Sequence, residues 1–208
     1  MTHPRASRPL LTRRRFALLA LSLPFWSASA PAALMNEVRG DFAVPRSPDE
    51  LWVLVDDAEE RLSIFRGDRL VESFSPISLG RGGARSQRVE GDRVTPLGEF
   101  RVMRFNYHSR YRTFVGLDYP TPTHARMALA SGVYSQQDYD DYFSYYRRHG
   151  TPPQETALGG YIGIHGVGVA DPEIHRRFHW TSGCVAVTDR QIDTLSSMID
   201  IGTRVVIR

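Results

Sequence analysis

The chain has 208 residues, with 26 Lys and Arg, 23 Asp and Glu and 7 His, for a formal net charge of +3 at pH 7. Every basic residue is arginine, and five of them fall, with no acid beside them, in the first 34 positions; without those the balance is 21 basic against 23 acidic residues, a net of −2. The basic character thus belongs to the N-terminus and argues against a nucleic-acid partner for the rest of the chain, and a single cysteine excludes an internal disulfide.

Arg5, Arg8, Arg13, Arg14 and Arg15 precede an apolar run from Phe16 to Phe25, and small residues continue to Ala33. A charged segment, an apolar stretch of about ten residues and a small-residue cleavage zone read as a signal peptide over 1–33. That stretch is too short for a membrane span, and Thr12-Arg13-Arg14-Arg15-Phe16 resembles a twin-arginine export motif. The expected location is the periplasm, with no stable membrane span after signal removal. Residues 34–49, with Pro45 and Pro48, read as a leader, and 50–208 as one domain of ordinary size.

Alternating and β-branched residues predict strands at 51–56, 61–66, 69–79 and 98–107, with Gly67-Asp68 as a hairpin turn. Gly80-Arg81-Gly82-Gly83-Ala84-Arg85 lacks the Lys-Ser/Thr of a phosphate loop and the GxGxxG spacing, so it reads as a flexible loop beside a cleft. A mixed stretch follows to about residue 158. Within it, Ser135-Gln136-Gln137-Asp138 opens a predicted helix that ends by Gly150 and Pro152-Pro153. Its Tyr139, Tyr142, Phe143 and Tyr146 recur at i, i+3, i+4 and i+7. That stripe suits packing on a sheet, or a lid bordering a cleft whose half-wet surface tyrosine favours.

Tyr161-Ile162-Gly163-Ile164 reads as a buried strand that ends at His165, with Gly166 and Gly168 opening a loop. His175 and His179 lie four apart, on one face if that segment is helical. Trp180-Thr181-Ser182-Gly183-Cys184 leads into a further strand, Val185-Ala186-Val187. Thr188 with Gln191 then forms a capping-box pattern ahead of Ile192, Leu195, Met198 and Ile199 at helical spacing.

The lone Cys184 in an exported chain has no scaffold role to play. A thiol is nucleophilic only as thiolate, so it needs a base or a field of N–H dipoles to ionise near neutrality. His165, at a strand tip, is the candidate base. Gly183 lets the backbone approach closely just before the sulfur, where N–H groups can face a tetrahedral oxyanion.

The order Thr95-Pro96-Leu97-Gly98-Glu99-Phe100, then His165-Gly166, then Thr181-Ser182-Gly183-Cys184 resembles the L,D-transpeptidase (YkuD-type) catalytic domain, and the likeness runs over roughly residues 50–208. The resemblance implies a mainly β fold with inserted helices, a β-sandwich or open barrel. It implies Cys184 as nucleophile and His165 as base, with the Gly166 carbonyl orienting the imidazole and the N–H groups of Gly183 and Cys184 facing the oxyanion. Thr181, Ser182, Tyr161 and His179 are the expected substrate contacts. Substrates would be peptidoglycan stem peptides, or a peptidoglycan-linked lipoprotein; no metal or organic cofactor is implied. Many members carry a histidine two before the cysteine and Arg or Asn two after it, where this chain has Ser182 and Ala186. That form is similar to a branch that includes hydrolases, which leaves open whether an amine or water resolves the thioester. The aromatic helix, or Arg85 and Arg88, would supply acceptor contacts if an amine does.

Three competing readings stand beside this one. His165, His175, His179 and Cys184 are four residues of zinc-ligand type. Cys184 could be an inert buried thiol. The domain could be a peptidoglycan-binding module without turnover.

Overall fold

The structure, a computed structural model, describes residues 43–208; the expected signal peptide and the leader as far as residue 42 lie outside the described residues. The domain begins with three antiparallel strands, β1 (Leu51–Asp56), β2 (Arg61–Arg66) and β3 (Arg69–Phe74). Gly67-Asp68 forms the β2–β3 turn, and Gly67 adopts φ +55. A Cβ there would lie 2.2 Å from the Pro48 carbonyl oxygen, so only glycine fits.

Two short strands, β4 (Ala84–Arg85) and β5 (Thr95–Pro96), precede the long β6 (Gly98–Ser109) and β7 (Arg112–Leu117). After helices α1 (Pro122–Ala130) and α2 (Gln136–His149) come β8 (Gly163–His165), α3 (Pro172–Arg177), β9 (Val185–Ala186), α4 (Asp189–Met198) and β10 (Arg204–Ile207). Eight strands form one mixed sheet in the order β3-β2-β1-β10-β6-β7-β8-β9, while β4 and β5 pair separately. Only β1–β10 and β8–β9 run parallel in the large sheet.

Residues 98–101 of β6 pair with β10 and the rest of the strand with β7, so one strand serves both halves of the sheet. Val53, Val55 and Ile64 from the first half share a single buried cluster with Val115, Ile164 and Val185 from the second. The halves therefore pack face to face, as in a β-sandwich. The fold is mainly β with inserted helices.

The segment expected as one strand over 69–79 is two pieces. Pro76 brings no N–H to the ladder, so β3 stops at Phe74. Residues 77–80 cross instead to the far edge, where Ser78 and Ala186 exchange main-chain hydrogen bonds of 2.9 and 2.7 Å and the Thr181 N–H donates to the Leu79 carbonyl at 3.1 Å. The chain leaving one edge strand thus covers the other, and the sheet partly closes on itself. Those pairings also fix both ends of the segment that contains Cys184.

The glycine-rich 80–85 stretch is packed, contrary to the expected flexible loop. A Cβ on Gly80 would sit 2.1 Å from the Arg93 carbonyl oxygen and one on Gly82 2.5 Å from that of Asp92. Gly80 donates to Thr95 Oγ1 at 2.8 Å and Gly82 to the Arg93 carbonyl at 2.9 Å. The stretch is a backbone clasp on residues 92–95.

Helix α2 begins with the full capping box of Ser135 and Asp138 and ends at Gly150 in the left-handed region. Tyr142 is buried, and Tyr139, Phe143 and Tyr146 pack against the core. The aromatic stripe is core packing rather than a lid. In α4 the Thr188–Gln191 capping box is present and Ile192 and Leu195 are buried. Among the described residues no helix is long and apolar enough to cross a membrane.

Candidate active site

Strands β8 and β9 set the site. They are parallel, with Ile164 opposite Val185 and His165 opposite Ala186. Side chains on a strand alternate faces, and residues directly opposite share one. Cys184 immediately precedes β9, so the backbone that carries the sulfur runs beside β8, the strand that ends at His165. Strand β8 is shorter than expected: Tyr161, read from sequence as part of it, has φ +54 and lies outside it.

The imidazole is enclosed. His165 is buried, with Tyr111 stacked on it at 4.5 Å between centroids and Trp180 edge-on at 5.7 Å. Its Nδ1 lies 2.7 Å from the Gly166 carbonyl oxygen. A carbonyl can only accept, so Nδ1 carries the proton and Nε2 presents a lone pair. Burial lowers the pKa of His165 below the ordinary histidine value, opposed by the Gly166 hydrogen bond and reinforced by His175. The neutral ring is the form this favours at pH 7.

The Gly166 backbone is held in turn, because its N–H donates to the Tyr111 carbonyl at 3.0 Å. A Cβ on Gly166 would lie 2.5 Å from Asp189 Oδ1, the atom that accepts the Gly168 N–H at 2.8 Å. Asp189, the first residue of α4, thereby fixes the loop after the histidine.

Cys184 is half-buried, and its Sγ lies 3.5 Å from the Tyr161 carbonyl oxygen. Burial pushes the thiol up to about 11, partly offset by the Gly163 main chain and by the charge of Arg88. Burial thus favours the thiol form of Cys184 and the neutral form of His165.

Thr181 ties the turn before the sulfur. Its hydroxyl accepts the Gly183 N–H at 3.1 Å and donates to the Cys184 carbonyl at 2.7 Å. This corrects the expected oxyanion site, because the Gly183 N–H is already engaged. The Cys184 N–H is the main-chain donor that remains. Gly183 has φ +127, and a Cβ there would collide with Arg88 Nη1 at 2.3 Å and the Val94 oxygen at 2.7 Å, which explains the glycine.

A hollow of about 460 Å³ opens beside the sulfur, with Cys184, Ser182, Tyr161, Ile162 and Arg88 in its lining. Ser182 and Tyr161 thus stand where substrate contacts are expected, whereas buried Thr181 acts through the turn. Tyr161 is 51% exposed, and the Arg104 guanidinium lies 5.5 Å from its ring and 5.6 Å from that of Phe114. Gly116 and Gly163, directly paired, leave room for the Phe114 ring against the sheet.

His175 and His179 do not belong to this hollow. Helix α3 ends at Arg177, so the two do not share a helix face. His175 is buried and its Nδ1 lies 3.1 Å from Ser78 Oγ. His179 Nδ1 accepts the Leu79 N–H at 3.2 Å, and both histidines line a separate hollow of about 230 Å³. The expected substrate contact from His179 is replaced by a structural one, since the residue holds the crossing segment 77–80. Among the described residues no group of three or more His, Cys, Asp or Glu side chains is arranged to hold a metal ion.

Tyr111 and Arg88 are the site residues that sequence reasoning did not place. Tyr111 sits in the β6–β7 turn, far from either motif, and for Arg88 the sequence suggests only an acceptor contact.

The sequence profile of the L,D-transpeptidase catalytic domain (YkuD) matches residues 50–207. The chain belongs to this family. The L,D-transpeptidase domain is similar in fold to the helical cell shape determining protein Pgp2 from Campylobacter jejuni, at 18% identity and a TM-score of 0.52, covering 88% of this chain and 56% of that one. A point mutant of Pgp2 gives 17% identity, a TM-score of 0.54 and coverage of 89% and 57%. The L,D-transpeptidase from Xylanimonas cellulosilytica gives 19%, 0.44 and coverage of 79% and 63%. The chain thus spans less than two thirds of the length of these structures. No curated protein sequence is significantly similar to the L,D-transpeptidase domain described here.

Proposed function

We propose that the domain is a periplasmic cysteine L,D-transpeptidase acting on tetrapeptide stems of peptidoglycan through a thioester. The observation that carries this reading is a half-buried thiol in an open hollow, on the segment entering β9, with an imidazole of fixed tautomer at the end of the adjacent parallel strand β8. His165 Nε2 removes the Cys184 proton as the sulfur attacks the carbonyl carbon between the L-centre and the terminal D-alanine. The oxyanion faces the Cys184 N–H. Collapse breaks the C–N bond, and the proton held by His165 leaves with the D-alanine amine. An incoming amine then loses a proton to His165 and displaces the sulfur, giving a cross-link.

Hydrolysis of the same thioester, as in trimming or in release of a peptidoglycan-linked lipoprotein, is the second reading, and one observation favours it. Ala186 is fully buried and hydrogen-bonded to Ser78, so the position two after the cysteine offers nothing to an acceptor. Arg85 is exposed on β4, and the aromatic stripe of α2 is turned to the core, which removes a second source of acceptor contacts.

Incubation of purified protein with disaccharide-tetrapeptide and excess amine acceptor, followed by mass spectrometry, separates the readings. Dimer supports transpeptidation. Tripeptide alone replaces it with hydrolysis, and an unchanged substrate favours a binding module.

A further inference from the structure

Arg88 is 5% exposed, yet among the described residues no carboxylate lies within salt-bridge distance of it. Its one hydrogen bond runs from Nη1 to the Val94 carbonyl at 3.2 Å, and Nε has no partner. The Tyr119 ring lies 5.8 Å away. A buried guanidinium is always charged, and burying a charge without a counter-ion is costly. A carboxylate is the partner whose geometry matches the guanidinium fork.

The backbone is shaped around this side chain. A Cβ on Gly183 would lie 2.3 Å from Nη1, and one on Gly159 3.2 Å from Nη2, so the guanidinium passes between two glycines. It emerges in the hollow that holds Cys184. Its charge is felt at the sulfur.

We infer that Arg88 binds the terminal α-carboxylate of the D-amino acid that leaves when Cys184 attacks. The inference rests on the stem-peptide reading above and deepens it. Only three bonds separate the scissile carbon from that carboxylate carbon, a span of under about 4 Å. An anion held beside Gly183 therefore sets the scissile carbonyl next to the sulfur. Arg88 thereby selects donors that end one residue after the scissile bond. The position two after the cysteine, Arg or Asn in many members of the family, is Ala186 here, and Arg88 supplies positive charge from a different part of the chain.

The test compares a tetrapeptide stem with the same peptide ending in a carboxamide. Wild-type protein should prefer the free acid by roughly 10- to 150-fold in kcat/KM, the range for a hydrogen bond to a charged group. Arg88→Met keeps the stem and removes the charge; it should bring that preference to within about threefold, mostly by loss on the acid. Arg88→Lys should restore part of it. Because Arg88→Met removes a buried unpaired charge, its Tm should not fall below wild type. Equal losses on acid and amide, or an intact preference, would overturn the assignment in favour of a structural or oxyanion role. Binding is read separately on Cys184→Ala protein by calorimetry with the same two peptides. If wild-type protein turns over neither peptide, the enzymatic reading fails while a tenfold or greater binding preference for the acid, lost in Cys184→Ala with Arg88→Met, still sustains the Arg88 site. Equal binding of acid and amide removes it.

Discussion

The phenol ring of Tyr111 lies 4.5 Å from the imidazole of His165, centroid to centroid, inclined by 27°. Together with the neighbouring Trp180, edge-on to the imidazole and 5.8 Å from Tyr111, it keeps water from the ring and helps hold its pKa below the ordinary histidine range. On the proposed mechanism the neutral ring is the working form, so activity should fall only at a pH below about 6.5. Tyr111→Ala, by admitting water, should move that acid limb up toward 6.5 and lower kcat, whereas Tyr111→Phe should leave both close to wild type. For comparison, His165→Ala should cost about two to four orders of magnitude. A pH–rate profile of each variant is the measurement, and an unmoved limb in Tyr111→Ala would remove the shielding role.

Cys184 should behave as a reluctant thiol in the absence of substrate. A thiol pushed up to about 11 carries about a hundredfold less thiolate at pH 7 than one at its ordinary value near 9. Alkylation by iodoacetamide, followed by intact mass, should be correspondingly slow at pH 7 and should accelerate as pH rises toward 11. Labelling as fast as free cysteine would mean that His165 already holds the proton at rest. Cys184→Ser should keep the fold and abolish turnover and covalent adduct.

Thr181→Val should uncouple the turn without changing its bulk. The substitution leaves the Gly183 N–H and the Cys184 carbonyl without partners. Each orphaned buried group costs about 1–3 kcal/mol, so chemical denaturation should register a loss of about 2 kcal/mol or more. On the proposed mechanism turnover should drop at least tenfold because the backbone of Cys184 is no longer fixed. Thr181→Ser should retain most of both.

Acid should weaken the fold through His124. This residue is buried against Phe100, with its Nδ1 2.7 Å from Thr121 Oγ1, and burial lowers its pKa to about 4. The folded state therefore favours the neutral ring, and the stability it contributes is complete above the unfolded value near 6.5. As pH falls from about 6.5 to about 4, the unfolded chain takes up the proton first and stability declines, by about 3 kcal/mol in all. Urea melts at several pH values should show this slope, and His124→Gln should flatten it. Equal slopes in both proteins would assign the acid sensitivity elsewhere.

The features legible in the sequence are those with local causes. The α2 and α4 capping boxes, the Gly67-Asp68 turn and the core stripe of α2 all follow from residues within one or two helical turns of each other. The segments of Cys184 and His165 were legible as neighbours of strands because two short motifs carry them, and β8 and β9 do pair. Helix α1 was missed, although Thr121-Pro122 marks its start, because Thr121 makes no side-chain cap and the first turn holds no acid. Strand β7 was missed because its residues sit in a stretch of mixed pattern. The course of residues 75–80 depends on Ala186 and Thr181, over a hundred positions away, and no local signal announces it. Tyr111 and Arg88 belong to the same class, since each reaches the site from a remote loop or turn.

On the proposed periplasmic location, the S–H form that burial favours at Cys184 has a consequence for oxidation. Susceptibility to sulfenic acid formation and to mixed disulfides follows thiolate character. A sulfur that stays in the S–H form, with its proton directed toward the Tyr161 carbonyl, is a poor target for peroxide and for stray disulfides. On the proposed mechanism, this chain, which has no second cysteine to rescue an oxidised one, keeps its reactive form for the moment when a peptide carbonyl is already in place.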